Sequence, residues 1–91
     1  MLYLIVSTPH PSRPEDVKSE RLKFWSWIKD LKSKNTIICC YPRVGRGVVA
    51  IVDVSSNDEL HQHMTHWTDI VPVSFDVYPL ATPAEAEKHL K

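Results

Sequence analysis

Only two glycines occur in 91 residues, Gly45 and Gly47, and they stand two apart. That scarcity excludes a glycine-rich phosphate loop and a dinucleotide fingerprint, which need several glycines for tight turns and for close approach of backbone to phosphate. A Gly-x-Ser-x-Gly nucleophile elbow is missing as well. Cysteine is equally scarce, and Cys39 and Cys40 are neighbours. In an extended segment successive side chains point to opposite faces, so a disulfide between them would be strained. Free, half-buried thiols in a reducing cytoplasm are expected. No charge of one sign dominates: 11 basic and 11 acidic residues give a formal net charge of zero, so no global field draws in nucleic acid or an anionic membrane. Basic residues do cluster in Lys29–Lys34 and Arg43–Arg46, but neither stretch is interleaved with aromatics as a strand-binding groove requires. The opening apolar run, Met1–Val6, is six residues long with no basic segment before it. It is too short to span a bilayer and lacks a signal-peptide pattern, so neither nucleic acid nor membrane is an expected partner.

What is present is a compact amount of core-forming sequence. Hydrophobic residues make up 43% of the chain, and its length suits one domain with an adequate core. Leu2–Ser7 reads as a first strand, continuously apolar and so covered on both faces. Pro9, Pro11 and Pro14 then enforce a loop, because each removes a donor and restricts the residue before it. A helix follows, with Ser12 and Glu15 at capping-box spacing and Pro14 tolerated in the first turn. Val17, Phe24, Ile28 and Leu31 form its apolar stripe, and Lys29, Lys32 and Lys34 suit its negative end near Asn35. Thr36–Tyr41 reads as a second strand, Pro42–Gly47 as a connection that uses both glycines, and Val48–Val54 as a third strand. Ser56 and Glu59 repeat the capping-box spacing ahead of a second helix with the stripe Leu60, Met64 and Trp67. Val71–Leu80 alternates as a fourth strand, and Thr82 to Glu85 opens a short C-terminal helix. The two halves repeat strand, helix, strand. The expected fold is α+β, a ferredoxin-like βαββαβ protomer whose four strands form an antiparallel sheet with both helices on one face.

Such a sheet has two sides, and the first three strands are apolar on both. Left in water, the second side would expose more than the roughly 300–600 Å² typical of the largest apolar patch on a monomer. A partner sheet is therefore expected to cover it, giving a homodimer, with higher assemblies left open. Asp76, on the face of the fourth strand opposite Phe75, would need a partner if buried there.

Few side chains have the chemistry of a site. His61, His63 and His66 lie on the second helix, and Glu59, His63 and His66 share one edge at helical spacing. No further ligand completes a recognisable metal motif, so no metal and no organic cofactor is expected. His63, beside the Leu60–Met64–Trp67 stripe, is a candidate acid or base, the alternative being a boundary histidine with ordinary partners. On the first helix Glu20 and Trp27 fall on the same side of the stripe, seven residues apart, and both can look into a cleft. In the alternative reading Trp27 packs at a rim and Glu20 makes a surface pair. Arg46, held between two glycines, suits a ligand carboxylate or phosphate, or else decorates a hairpin tip. Trp67 continues an apolar stripe and reads as a core anchor or a pocket wall, with Asp69 expected to accept backbone donors in the turn after it.

Gly45-Arg46-Gly47, Val52-Asp53-Val54, Glu59-Leu60, Trp67-Thr68-Asp69-Ile70, Tyr78-Pro79-Leu80 and Pro83-Ala84-Glu85-Ala86 together resemble a family of small bacterial proteins of unknown function in the dimeric α+β barrel superfamily. The likeness covers about half of the chain, and the remainder in its order of elements. Relatives in that superfamily include muconolactone isomerase and the antibiotic-biosynthesis and haem-degrading monooxygenases. The resemblance implies a protomer whose sheet pairs with a second protomer's sheet, and a cleft between sheet and helices. On ungapped alignment from Asp53, the helix carboxylate that moves the proton in muconolactone isomerase falls at or near Lys23. Lysine is no substitute for it at neutral pH, and Glu20 lies one turn earlier.

Two classes of function follow. In the first, the protein is a small dimeric enzyme or binder that takes a mostly apolar or aromatic small molecule into the cleft, isomerase- or monooxygenase-like and cofactor-free. His63 and Glu20 would then be its catalytic groups and Trp27, Arg46 and Trp67 its ligand-binding ones. In the second, it is a non-catalytic accessory or interaction module. An open, partly apolar cavity with convergent polar groups favours the first and a filled cleft the second.

Overall fold

The computed structural model describes residues 1–11 and 18–90. The chain runs β1 (Leu2–Pro9), α1 (Lys18–Ser33), β2 (Ile37–Pro42), β3 (Val48–Asp53), α2 (Asn57–Ile70), β4 (Val73–Leu80) and α3 (Pro83–Lys88). The four strands form one sheet in the order β2-β3-β1-β4, with every neighbouring pair antiparallel. This is the expected βαββαβ arrangement. The Ser12–Glu15 cap and the stripe position Val17 lie outside the described residues.

Strand pairing decides which residues share a face. Ile5 stands opposite Ala50 on one side and Val77 on the other, and Ser7 opposite Val48 and Phe75. That face is covered by Phe24, Ile28 and Leu31 of α1 and by Trp67 of α2, which join Ile5, Ile37, Val48, Val52 and Val73 in one buried core. In β2 the register shifts between Ile37 and Cys39, a bulge that turns Ile38 outward to 51% exposure. The extra residue lets Ile37 and Cys40, three apart, face the same helices, which regular alternation would forbid. Cys39 then pairs with Ile51 on the open face and Cys40 with Ala50 on the helix face. Both thiols are free and half-buried.

Element ends follow local chemistry. Asn35 adopts φ 61°, the left-handed conformation that asparagine tolerates at a helix end, while the Thr36 N–H closes on the Leu31 carbonyl at 3.0 Å. At the start of α2 the Ser56 hydroxyl accepts the Glu59 N–H at 3.1 Å. Glu59 reaches back one residue further than a reciprocal box requires, accepting the Ser55 N–H at 2.8 Å and the Ser55 hydroxyl at 2.6 Å. Thr82 and Glu85 do make the reciprocal box, at 3.1 and 3.2 Å. The fourth strand begins at Val73, not at Val71. The Val71 N–H is taken by the Trp67 carbonyl at 2.9 Å, closing the helix, and Pro72 has no donor to give a ladder. That backbone bond, rather than the Asp69 carboxylate, secures the turn, since among the described residues Asp69 accepts no hydrogen bond.

Trp67 is the pin between helices and sheet. Its ring lies 5.0 Å from Phe24 of α1, 5.0 Å from Phe75 of β4 and 6.1 Å from Trp27, and only 3% of it is exposed. A second fastening joins β1 to the β2–β3 connection. Ser7, 1% exposed, accepts the Val48 N–H at 3.0 Å and donates to the Val48 carbonyl at 3.3 Å, which removes the cost of a buried hydroxyl. Gly47 has φ 103°, and a Cβ there would overlap the Ser7 carbonyl oxygen and press on the Arg43 side chain. With no Cβ in the way, Arg43 Nη1 donates to the Ser7 carbonyl at 3.1 Å and to Thr8 Oγ1 at 3.2 Å. Gly45 has φ 100° but open space around it.

Two outcomes are expected. Trp67→Ala should lower unfolding free energy in denaturant titrations by about 3–5 kcal/mol, the range for deleting a buried large aromatic, and an unchanged midpoint would refute the anchoring role. Gly45→Ala should carry only the left-handed backbone cost of about 1–2 kcal/mol. Gly47→Ala should cost more, because it also displaces the Ser7 carbonyl and Arg43, and equal midpoints for the two variants would contradict this.

Candidate functional site

Between α1, the end of β1, the β2–β3 connection and the α2–β4 junction lies a cavity of about 440 Å³, within the range of small-molecule sites. Ser7, Val48 and Val73 contribute from the helix-covered face of the sheet, Phe24 and Trp25 from α1, and Trp67 from α2. Pro9 borders it from the end of β1, His10 and Pro11 from just beyond that strand, and Arg43, Gly45, Arg46 and Gly47 from the β2–β3 connection. Glu20 and Arg21 enter from the beginning of α1. An aromatic wall thus meets a rim of charged groups.

The polar groups are unevenly satisfied. Glu20 Oε2 is buried and has no hydrogen-bond partner among the described residues, an arrangement that costs free energy unless something donates to it. His10 Nε2 stands 3.2 Å from Ser74 Oγ, and the His10 N–H is held by the Pro72 carbonyl at 3.0 Å, which joins the loop after β1 to the entry of β4. Among the described residues none of Arg21, Arg43 and Arg46 forms an ion pair.

Of the residues singled out from the sequence, Glu20, Arg46 and Trp67 come together around this cavity, although they are far apart in the chain. Trp27 and His63 are not among its lining residues. Trp27 turns toward α2, where its ring stands 5.0 Å from His66 and meets Trp67 edge-on at 6.1 Å. His63 Nε2 faces Glu59 Oε1 at 3.6 Å, one helical turn away. The two hydrogen bonds from Ser55, aided by His63, hold the Glu59 carboxyl below its ordinary pKa, so this pair belongs to the helix cap. Among the described residues no three His, Cys, Asp or Glu side chains are grouped to hold a metal, and no helix is long and apolar enough to cross a membrane. Burial, and secondarily the neighbouring Cys39, pushes the Cys40 thiol up to about 11 against a smaller opposing pull from Lys32. It is a packed thiol at neutral pH rather than a nucleophile.

Sequence reasoning missed Arg43, Ser7 and His10 as site residues. For Arg43 a signal existed: it sits four residues before a glycine in the same short connection that presents Arg46. Ser7 merely ends an apolar run, and His10 is hidden in a proline-rich loop, so neither announces a role before the strands are paired.

No curated protein matches this sequence. Among solved structures, the fold is shared with 5-chloro-2-hydroxyhydroquinone dehydrochlorinase from Burkholderia phenoliruptrix AC1100, solved in complex with 2,5-dihydroxybenzoquinone. The TM-score is 0.75 at 18% identity, over 93% of this chain and 98% of that one. At that identity the likeness speaks for the fold alone. Residues 1–91 match the family described as a domain of unknown function, DUF3303, and the chain is a member of that family.

Proposed function

We propose that this protein is a homodimer of the dimeric α+β barrel type that binds a small, mostly apolar aromatic molecule in the cavity between helices and sheet and acts on it by proton transfer through Glu20. The observation that carries the reading is the buried, unpartnered Glu20 oxygen in a cavity that Phe24, Trp25 and Trp67 also line. A flat ring is accommodated by the aromatic wall, and a ring substituent that donates a hydrogen bond satisfies the carboxylate. A carboxylate that lines the cavity is placed within reach of a bound ring's acidic hydrogen, the geometric requirement for a general base. A filled cleft would have favoured a non-catalytic interaction module, whereas this one is open. The structurally similar dehydrochlorinase, with a hydroxylated quinone bound, supports the same ligand class. The reading gives no role to His63 and places Trp27 behind the wall as packing. It includes no resident metal or organic cofactor, because no ligand set accompanies His61, His63 and His66 and no phosphate cradle occurs in the sequence. Free cysteines suit a cytoplasmic location.

Self-association is supported by the open face of the sheet. Tyr41, Val49, Val6 and Asp76 form one row across it, and Cys39, Ile51, Leu4 and Tyr78 the next. Tyr41 is 68% and Tyr78 52% exposed. Among the described residues the core contacts of α1 and α2 lie on the other face, and α3 has no buried residue. A second copy laid sheet to sheet would cover these rows, with Asp76 on edge strand β4 where water can still reach it.

Calorimetric titration with a panel of hydroxylated monocyclic aromatics is expected to show saturable binding by at least one member, weakened roughly 2–10-fold in Trp25→Ala by loss of ring contact. Failure of the whole panel to bind would sink the ligand-binding reading. Sedimentation equilibrium at micromolar concentration is expected to give twice the protomer mass, with an interface above about 1,200 Å² in total that Leu4→Arg disrupts. A wild-type monomer under those conditions would eliminate the dimer.

A further inference from the structure

The whole chain carries no net charge, yet the cavity does. Its lining contains three guanidinium groups, Arg21, Arg43 and Arg46, and one carboxylate, Glu20. None of the three arginines is neutralised by an ion pair among the described residues. Cations beside a low-dielectric aromatic wall focus the local field and concentrate anions. A neutral hydrocarbon ring would make no use of them.

Arg43 is the best prepared of the three. Its Nη1 is anchored on the Ser7 carbonyl and Thr8 Oγ1 at 3.1 and 3.2 Å, and the missing side chain at Gly47 leaves room for it. A guanidinium has five donors, and among the described residues the bonds Arg43 makes to side chains and carbonyls all leave from Nη1. The remaining donors are held in a fixed place, so an incoming carboxylate does not have to order a free side chain. Arg46 lies in the same connection between two glycines of positive φ, close in sequence and on the same cavity. Planar, paired acceptors match guanidinium forks better than a single oxygen does.

Glu20 sets the opposite requirement. Its buried Oε2 needs a donor, and a ligand carrying only a carboxylate would leave that oxygen unpaired.

Resting on the small-aromatic-ligand reading above, we infer that the cavity selects a hydroxylated monocyclic aromatic carboxylate. The ligand's carboxylate lies against Arg43 and Arg46, its ring lies on the half-buried Trp25, and its hydroxyl donates to Glu20. Arg21 adds to the field at the mouth.

The test is calorimetric titration of the full chain with 3- and 4-hydroxybenzoate, with benzoate, and with 3- and 4-hydroxybenzyl alcohol, at one fixed ionic strength. At least one hydroxybenzoate should bind about tenfold or more tighter than its matched alcohol, as expected for a charge-assisted hydrogen bond, and several-fold tighter than benzoate. Arg46→Gln, which removes no hydrogen bond among the described residues, and Arg43→Gln should each shrink the acid-over-alcohol ratio, and the double variant should bring it within about twofold. Glu20→Ala should abolish the preference for hydroxybenzoate over benzoate. Equal binding of acid and alcohol by the wild type, or a ratio that survives in the double variant, would overturn this inference and leave the aromatic-ligand reading intact. If none of the five compounds binds, that broader reading falls and takes this one with it.

Discussion

Everything in this protein hangs on the contact of Trp67 with Phe24 and Phe75. The indole sits 5.0 Å from each ring and thereby ties α2 to α1 and to the outer strand β4. A sheet whose core contacts among the described residues come from two helices, α1 and α2, has few places at which all its layers meet. Here they meet in a single aromatic cluster, which buries large area and favours tilted and edge-on geometry. Trp67 and Phe24 also line the cavity. Stability and site are therefore built from the same atoms, and a change that loosens the core also reshapes the wall a ligand would touch.

The second constraint is polar and lies where β1 leaves the core. A serine in a buried strand is costly unless both its donor and its acceptor functions are used, and Ser7 uses them on the backbone of Val48. That exchange fixes the first residue of β3, and so the end of the β2–β3 connection. Gly47 approaches the Ser7 carbonyl more closely than any residue with a side chain could, and Arg43 occupies the space left over. A turn between two strands thereby ties one guanidinium, that of Arg43, to the backbone and side chain at the end of β1. The charged rim and the apolar wall belong to different elements, but both are referred to the same strand pairing.

The open face poses a different problem from the cavity. On the helix side every large apolar residue of the central strands has found a neighbour, while on the other side Tyr41, Tyr78 and their row-mates meet solvent. The bulge in β2 contributes to this asymmetry, since it aligns Ile37 and Cys40 with the core and releases Ile38 outward. A protomer with a finished core and an unfinished reverse face is the physical basis for expecting a second copy.

Much of the architecture was legible because it is written in short-range patterns. The stripes Phe24–Ile28–Leu31 and Leu60–Met64–Trp67, the serine and threonine caps at Ser56 and Thr82, and the opposed directions of Cys39 and Cys40 follow from helical and strand periodicity over a few residues. The start of β4 was misplaced by two residues because the Val71 N–H is claimed by the Trp67 carbonyl, a competition that alternation alone does not reveal. The site was half legible for a related reason. Glu20, Arg46 and Trp67 carry recognisable chemistry and do share the cavity, but Trp27 and His63, equally plausible on the helical wheel, are turned to His66 and Glu59. Arg43, Ser7 and His10 acquire their positions from contacts across tens of residues, as in the Ser7–Val48 exchange over a separation of 41. By itself the sequence determined the elements and their apolar faces, since these depend on neighbours one to four residues away. Only the tertiary structure decided which polar groups converge, because convergence depends on strand register and helix rotation, which are set by packing between distant segments.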